Sequence, residues 1–350
     1  MKFSSLQFRA LSVAILCSIA PALHAQTTAT TTPVGFVTRT ISAAVNATTP
    51  SNTTVSIPLY AAADYVSTVA TIDSATQFTL TGAAWTAGQF AVSTAPRLVR
   101  VKTSTAVPAN VGKFFLVTAN TTSQLTVSLP SGIANINTVI SVGDSCEIVP
   151  ANTLGSVFGN PGILMAGNSP NTADNVLIFN GTTFLTYFWT GTVGSPQNIW
   201  KKTGTTDQSN VVLYPDEGVF VIHRDTTAPV TLTLMGAVPS TTEQTEIAGN
   251  GATFLSNRFP VDTTLAALGL QNIPGWVAGN SPNSADTVSI WSGTTWLAYF
   301  WTGTVGSPIN IWKKTGTTDQ SGVVITTGTS VFITHRAAEV TLTQTLPYTP

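Results

Sequence analysis

Charge is what this chain has least of. Asp, Glu, Lys and Arg together make up 8% of its 350 residues, with fourteen basic against fifteen acidic side chains. No basic block exists to neutralise a run of phosphates, so nucleic acid is not an expected partner. Cysteine is nearly missing: Cys17 sits in the first 25 residues, which leaves Cys146 alone and no intrachain disulfide in the remainder. In Ser145-Cys146-Glu147-Ile148, alternation puts Cys146 on the face of Ile148, where a thiol acts as a small hydrophobe. Beyond the N-terminal segment no apolar run is long enough for a transmembrane helix. Catalytic signatures are missing too: no HExxH, no GxSxG and no Cys-His pairing, so no enzyme, metal or cofactor is expected.

What is present begins with an export signal. Lys2 and Arg9 form a basic start, Ala10 to Ala20 is apolar, and Pro21 to Ala25 ends on a small residue. Residues 1–25 therefore read as a secretory signal peptide, and the expected location is secreted or cell-surface. A lipid anchor on Cys17 is not expected, because Leu16 occupies the place where a lipobox needs a small residue. Without Lys2 and Arg9 the chain carries twelve basic and fifteen acidic residues, a formal charge of −3.

Threonine supplies about one residue in six, joined by many Val, Ile and aromatic residues, and Gly and Pro punctuate the chain. These residues suit a pleated surface, so the expected class is all-β. Short alternating runs predict strands at Val34–Ile41, Thr54–Leu59, Ser67–Ile72, Gln77–Thr81, Leu98–Lys102, Lys113–Thr118, Gln124–Leu129 and Cys146–Val149. Residues 26–151 are read as an N-terminal small barrel or sandwich.

The rest is a duplication. Residues 166–224 recur at 278–336, shifted by 112 positions without a gap, and both copies close on His-Arg, at His223-Arg224 and His335-Arg336. Repeat 1 is assigned to 152–240, a connecting segment to 241–264 and repeat 2 to 265–350. Each repeat predicts strands equivalent to Asn175–Phe179, Thr183–Thr190, Asn198–Lys202, Val211–Tyr214 and Val219–Arg224, with Val230–Leu234 as a sixth. Short links imply antiparallel β-meander modules. Between the copies, Ala252 to Pro260 echoes Asn52 to Pro58, each a strand running into a proline.

The duplication sorts candidate residues by their counterparts. His223 and His335 lie at strand ends, as a solvated edge or as partners for an acid. Asp174, Asp286, Asp207 and Asp319 lie in turns rich in Asn, Ser, Thr and Gly, where Asp caps the backbone; Ca²⁺ at such turns would bind weakly. Lys201-Lys202 and Lys313-Lys314 are expected to end a strand, with one Lys of each pair facing Asp207 or Asp319. Aromatic residues are the stronger lead, since seven of the eight Trp lie in or beside the repeats. Along Thr183–Trp189 both faces are apolar, so the strand is either covered on both sides or displays an aromatic row. If displayed, Tyr187, Trp189 and Trp200, with Tyr299, Trp301 and Trp312, form two binding surfaces for sugar rings or another subunit. If buried, the loops Gly191–Pro196 and Gly303–Pro308 are left to carry function. Phe184 is matched by Trp296 and Phe179 by Trp291, exchanges that keep bulk as packing requires.

Pro33-Val-Gly-Phe-Val-Thr38, Val55-Ser-Ile-Pro-Leu59, Ala84-Trp-Thr-Ala-Gly-Gln-Phe90, Gly143 to Pro150 running into Thr153 to Phe158, and Leu346-Pro-Tyr-Thr-Pro350 carry a resemblance. With these segments the chain resembles an uncharacterised family of secreted proteins found mainly in Verrucomicrobia. The resemblance implies export and this module order; it brings no known activity and no site residue. Pro215-Asp-Glu-Gly-Val-Phe220 is loosely similar to a Pro-Gly-x-Gly-Phe strand motif of bacterial extracellular β proteins. The second copy departs from it with Thr327-Gly-Thr-Ser-Val-Phe332, which argues against a site there. The expected function is a non-enzymatic structural or adhesive extracellular protein that self-associates, with carbohydrate binding through the repeat aromatics as the alternative.

Overall fold

The computed structural model describes residues 33–349 apart from 47, 131, 160 and 161. The expected signal peptide and Gln26 to Thr32 lie outside the described residues. Alternating β-branched and polar residues build strands nearly everywhere, and the fold is all-β. It opens with β1 (Val34–Ile41) and β2 (Ser51–Val55). A run of six follows: β3 (Tyr65–Ile72), β4 (Gln77–Leu80), β5 (Arg97–Thr103), β6 (Phe114–Asn120), β7 (Gln124–Ser128) and β8 (Ser145–Pro150). Among the described residues a short α-helix, α1 (Leu154–Phe158), is capped at Thr153, whose Oγ1 accepts from Ser156 N at 3.1 Å.

The first repeat contains β9 (Asn175–Phe179), β10 (Phe184–Trp189), β11 (Trp200–Lys201), β12 (Val219–His223) and β13 (Val230–Ala237). Then come β14 (Glu243–Ile247), β15 (Gly251–Ser256) and β16 (Thr263–Thr264). The second repeat supplies β17 (Thr287–Trp291), β18 (Trp296–Trp301), β19 (Trp312–Lys313), β20 (Val324–Ile325), β21 (Ser330–His335) and β22 (Val340–Gln344).

Strands β3 to β8 close into a barrel in the order β3-β4-β7-β6-β5-β8. Register shifts in three of its ladders supply the local twist that closure needs. Its centre is filled by residues such as Phe78, Phe115, Leu125, Ile148 and the buried Cys146. Burial pushes the Cys146 thiol up to about 12, so it stays a neutral core group.

The strands flanking the barrel in sequence belong elsewhere. In the first repeat the sheet order is β11-β10-β9-β12-β2, and β1 pairs with β13. The second sheet runs β15-β21-β17-β18-β19, and β14 pairs with β22. Val55 stands opposite Val219 and Leu255 opposite Val331, its counterpart 112 positions on. Ile41 faces Val230 as Ile247 faces Val340. β2 and β15 are thus the same strand of one module used twice, as are β1 and β14. The echo between residues 52–58 and 252–260 marks this hidden part of the repeat. In the first module the barrel is inserted between β2 and α1; in the second, a short link joins β15 to β16. Each sheet is a three-strand antiparallel meander whose fourth strand returns to pair with the meander's first.

The two five-stranded sheets pack face to face. Phe184 meets Phe254 and Phe332, while its counterpart Trp296 meets Phe220. The backbone contacts reciprocate as well: Ser56 N donates to Gly328 O at 2.9 Å, and Ser256 N to Asp216 O at 3.0 Å. Since Ser56 matches Ser256 and Asp216 matches Gly328, the modules contact each other as an isologous dimer does, about a pseudo-two-fold. Gly218 and Ser330, also counterparts, meet within this contact. A Cβ on Gly218 would fall 2.4 Å from that of Ser330, so only one of the two positions has room for a side chain.

Candidate functional site

The aromatic rows are core, and the exposed-platform expectation is corrected here. Tyr187, Trp189 and Trp200 are 5%, 3% and 0% exposed; Tyr299 and Trp312 are as buried, and Trp301 is half-buried. On β10, alternation sends Leu185, Tyr187 and Trp189 into the first module's own core and turns Phe184 toward the second module. On β18, Leu297, Tyr299 and Trp301 pack into the second core while Trp296 faces the first module. Both faces are apolar because both are covered. The Trp200 indole Nε1 donates to Gly159 O at 3.1 Å and that of Trp312 to Gln271 Oε1 at 3.2 Å, which satisfies these two indoles.

The His-Arg pairs are clamps within each module. His223 Nδ1 lies 2.6 Å from Asp174 Oδ2, and its Nε2 faces the Ala228 carbonyl at 3.1 Å. Asp174 also accepts from Met165 N at 2.8 Å and Arg224 N at 2.7 Å, while the Arg224 guanidinium donates to the carbonyls of Pro170 and Ala173. The second copy repeats the set with His335, Asp286, Val277 and Arg336. Both ring nitrogens and both carboxylate oxygens are engaged inside the protein, so the cluster ties turn, strand end and loop together. Asp174 is fully buried with both carboxylate oxygens engaged by protein groups, so it offers neither to a Ca²⁺ ion in that turn. The equal His–Asp spacing in both copies was the available signal for this pairing.

The lysine expectation is also corrected. Lys201 Nζ donates to Ser195 O at 2.8 Å and Lys313 Nζ to Ser307 O at 3.0 Å, so each holds the preceding loop. Asp207 instead accepts from Ser209 N at 2.8 Å, and Asp319 from Ser321 N at 2.8 Å. Those are the backbone caps that the turn composition predicts.

A buried ionic network missed by sequence reasoning fastens the barrel to the second module. Arg100 of β5 bridges Glu147 of β8 at 2.8 Å and Glu243 of β14 at 2.6 Å, and Arg258 also bonds Glu243. The Arg100 guanidinium also stands over the Tyr60 ring, 5.1 Å from the centroid. These partners lie 47 and 143 positions apart, beyond any local pattern.

Where the barrel meets both modules there is a cleft of about 390 Å³. Phe114 and Leu116 of β6, Phe179 of β9, Tyr214 and Phe254 form its apolar wall. Lys113, Asp216, Glu217, Glu246 and Glu339 supply its charge. Lys113 Nζ is 2.7 Å from Glu246 Oε1, which commits that cation. Burial, reinforced by neighbouring Asp216, pushes Glu217 up to about 8, and burial also raises Asp216. Glu217 is nonetheless an exposed residue at the cleft, and Asp216 is half-buried beside it. By sequence alone, the departure of the second copy from Pro215-Asp-Glu-Gly argues against a site there. The structure gives the difference another cause: only the first module carries a barrel, so only there does this segment line a cleft.

Two loops remain exposed and identical. Thr190 to Pro196 and Thr302 to Pro308 share one sequence, and Val193 and Val305 are 56% and 60% exposed at their tips. Each is held by the same bonds: Gly194 N to Thr190 O at 2.8 Å and Asn198 N to Gly191 O at 2.8 Å, with Gly306 N to Thr302 O and Asn310 N to Gly303 O in the second copy. Compared with known protein families, curated proteins and solved structures, the chain shows no match.

Proposed function

We propose that this chain is an exported, non-enzymatic structural or adhesive protein of the cell surface or extracellular space. The observation that carries the reading is the paired display of one rigid loop, Thr190–Pro196 and Thr302–Pro308, on two modules docked about a pseudo-two-fold. Two equivalent contact points on one body give avidity toward any repeating target, including a row of identical chains. The duplicated aromatic and His–Asp residues are consumed in building the scaffold, which is where a structural protein spends them. Burial of the aromatic rows removes the support for stacking on sugars, and the carbohydrate alternative is not carried forward.

Self-association is the test. Sedimentation velocity on the chain without residues 1–25 is expected to show concentration-dependent assembly, reduced in a Val193→Asp/Val305→Asp variant more than in either single variant. Monomeric behaviour at all concentrations, or assembly untouched by the double substitution, would refute the loop assignment.

A further inference from the structure

The barrel covers one of two equivalent strands and leaves the other bare. Counting back from the matched pairs Ile41–Val230 and Ile247–Val340, Phe36 corresponds to Thr242, Met235 to Thr345 and Val34 to Ser240. In the second module β14 is held against the barrel. Lys113 Nζ bonds Glu246, Arg100 bonds Glu243, and a Cβ on Gly112 would fall 2.7 Å from the Glu243 Cα. Gln244 is buried there and Glu246 half-buried. Their counterparts on β1, Thr38 and Thr40, are exposed, as are Val34 and Phe36 on the same face.

One end of that bare face is apolar. Phe36 and Met235 stand directly opposite each other, 71% and 77% exposed, and Val34 beside them is 78% exposed. Cross-strand neighbours of this kind form one patch rather than scattered side chains. The rest of the face is threonine, with Thr38 opposite Thr233 and Thr40 opposite Thr231, all exposed. The second module has Ser240, Thr242 and Thr345 at the three apolar positions, so the fold itself does not need large apolar groups there.

Three observations select the occupant. Gln26 to Thr32, which precede the ribbon, contain only Gln, Thr and Ala, so that segment has no large apolar side chain to lay on the patch. The barrel surface that covers β14 is engaged with its own second module in every copy, so it is not free to cover β1 of a neighbour. Neither β1 nor β13 puts a charged side chain on the face, which can therefore meet an identical face without like-charge repulsion. We propose that β1 and β13 form a self-complementary dimer contact, this face of one chain packing on the same face of a second copy about a two-fold axis. At about 3.3 Å per residue the eight-residue ribbon is about 26 Å long, and its two strands make it about 10 Å wide. So small an interface makes the dimer reversible rather than permanent. The inference goes beyond the display reading, since it uses other residues and closes at two chains.

The test uses the chain without residues 1–25 in the Val193→Asp/Val305→Asp background, so that loop contacts do not enter. Sedimentation velocity is expected to show a monomer–dimer equilibrium there with no larger species. Phe36→Thr/Met235→Thr, which installs the residues of the second module, should raise the dimer dissociation constant at least tenfold and leave the circular dichroism unchanged. A second variant keeps the patch intact and decides the matter if the first does not fold. Thr233→Cys should be joined into a dimer by a short bismaleimide, whereas Thr343→Cys, at the counterpart position on β22, should not. The native Cys146 is fully buried and stays out of that reaction. A failure of the loop reading shows separately, as wild-type assembly that the loop substitutions leave unchanged. A monomer at every concentration, which would hand the face to a different partner, would overturn the proposal. So would dimerisation undiminished in the folded threonine variant, or equal cross-linking of the two cysteine variants.

Discussion

Ser56 donates its backbone N–H to the carbonyl of Gly328 at 2.9 Å, and the counterpart of that bond, Ser256 to Asp216, is present at 3.0 Å. One chain has thereby internalised what two identical subunits achieve by symmetry. Each module buries one sheet face in its own core and the other against its twin, which explains why so many large side chains are tolerated in strands that lack a polar face.

The meeting of Gly218 and Ser330 makes that symmetry testable. Gly218→Ser would force two side chains into a space for one, and overpacking of this kind costs about 1–3 kcal/mol. Adding Ser330→Gly should recover most of the loss, because the swap restores one side chain per contact. Urea unfolding of the two single variants and the double variant reads the coupling. Strictly additive losses would mean the positions do not meet.

Removing one partner of a buried pair is the second expectation. Asp174→Asn leaves His223 without its carboxylate and should cost about 3 kcal/mol or more, with a comparable loss for Asp286→Asn. Asp207→Asn, which keeps an oxygen to cap Ser209 N, should cost about 1 kcal/mol or less. Equal small effects at all three positions, measured by chemical unfolding, would show the clamps to be dispensable.

The class of the fold was legible from composition and periodicity, down to β1 at Val34–Ile41 and β9 at Asn175–Phe179. The partner of β2 was not. Val55 pairs with Val219 across an inserted barrel, and the copies of that strand have diverged from Thr54 to Phe254, so no local pattern records the pairing. Alternation along Phe184–Trp189 presented two outcomes, covered or displayed, and only the docking of a second sheet decides between them. Asp216 and Glu217 were hidden for a related reason: their setting is made by three segments distant in sequence.

Stability should fall as pH rises through the range where Glu217 is held protonated. Enclosure by protein and the neighbouring Asp216 push its carboxyl up to about 8 from the ordinary 4.5, so the folded chain holds a proton that the unfolded chain has released. The decline should run from about pH 4.5 to about pH 8 and level off above, with Asp216 contributing in the same direction. In Glu217→Gln the loss of unfolding midpoint across that window should be shallower than in the wild type. An equally steep decline would mean that Glu217 titrates normally.

Tryptophan fluorescence tests most directly the claim on which the functional reading rests, that the repeated aromatics are core and the loops are left to act. Trp189, Trp200 and Trp312 are buried, and Trp301 packs against Trp312 with ring centroids 6.0 Å apart. The account predicts an emission maximum typical of buried indole, little reduced by iodide in the native chain and readily quenched after unfolding in urea. Ready quenching of the native chain, lost in a Trp189→Phe/Trp301→Phe variant, would contradict it and return the aromatic rows to the surface.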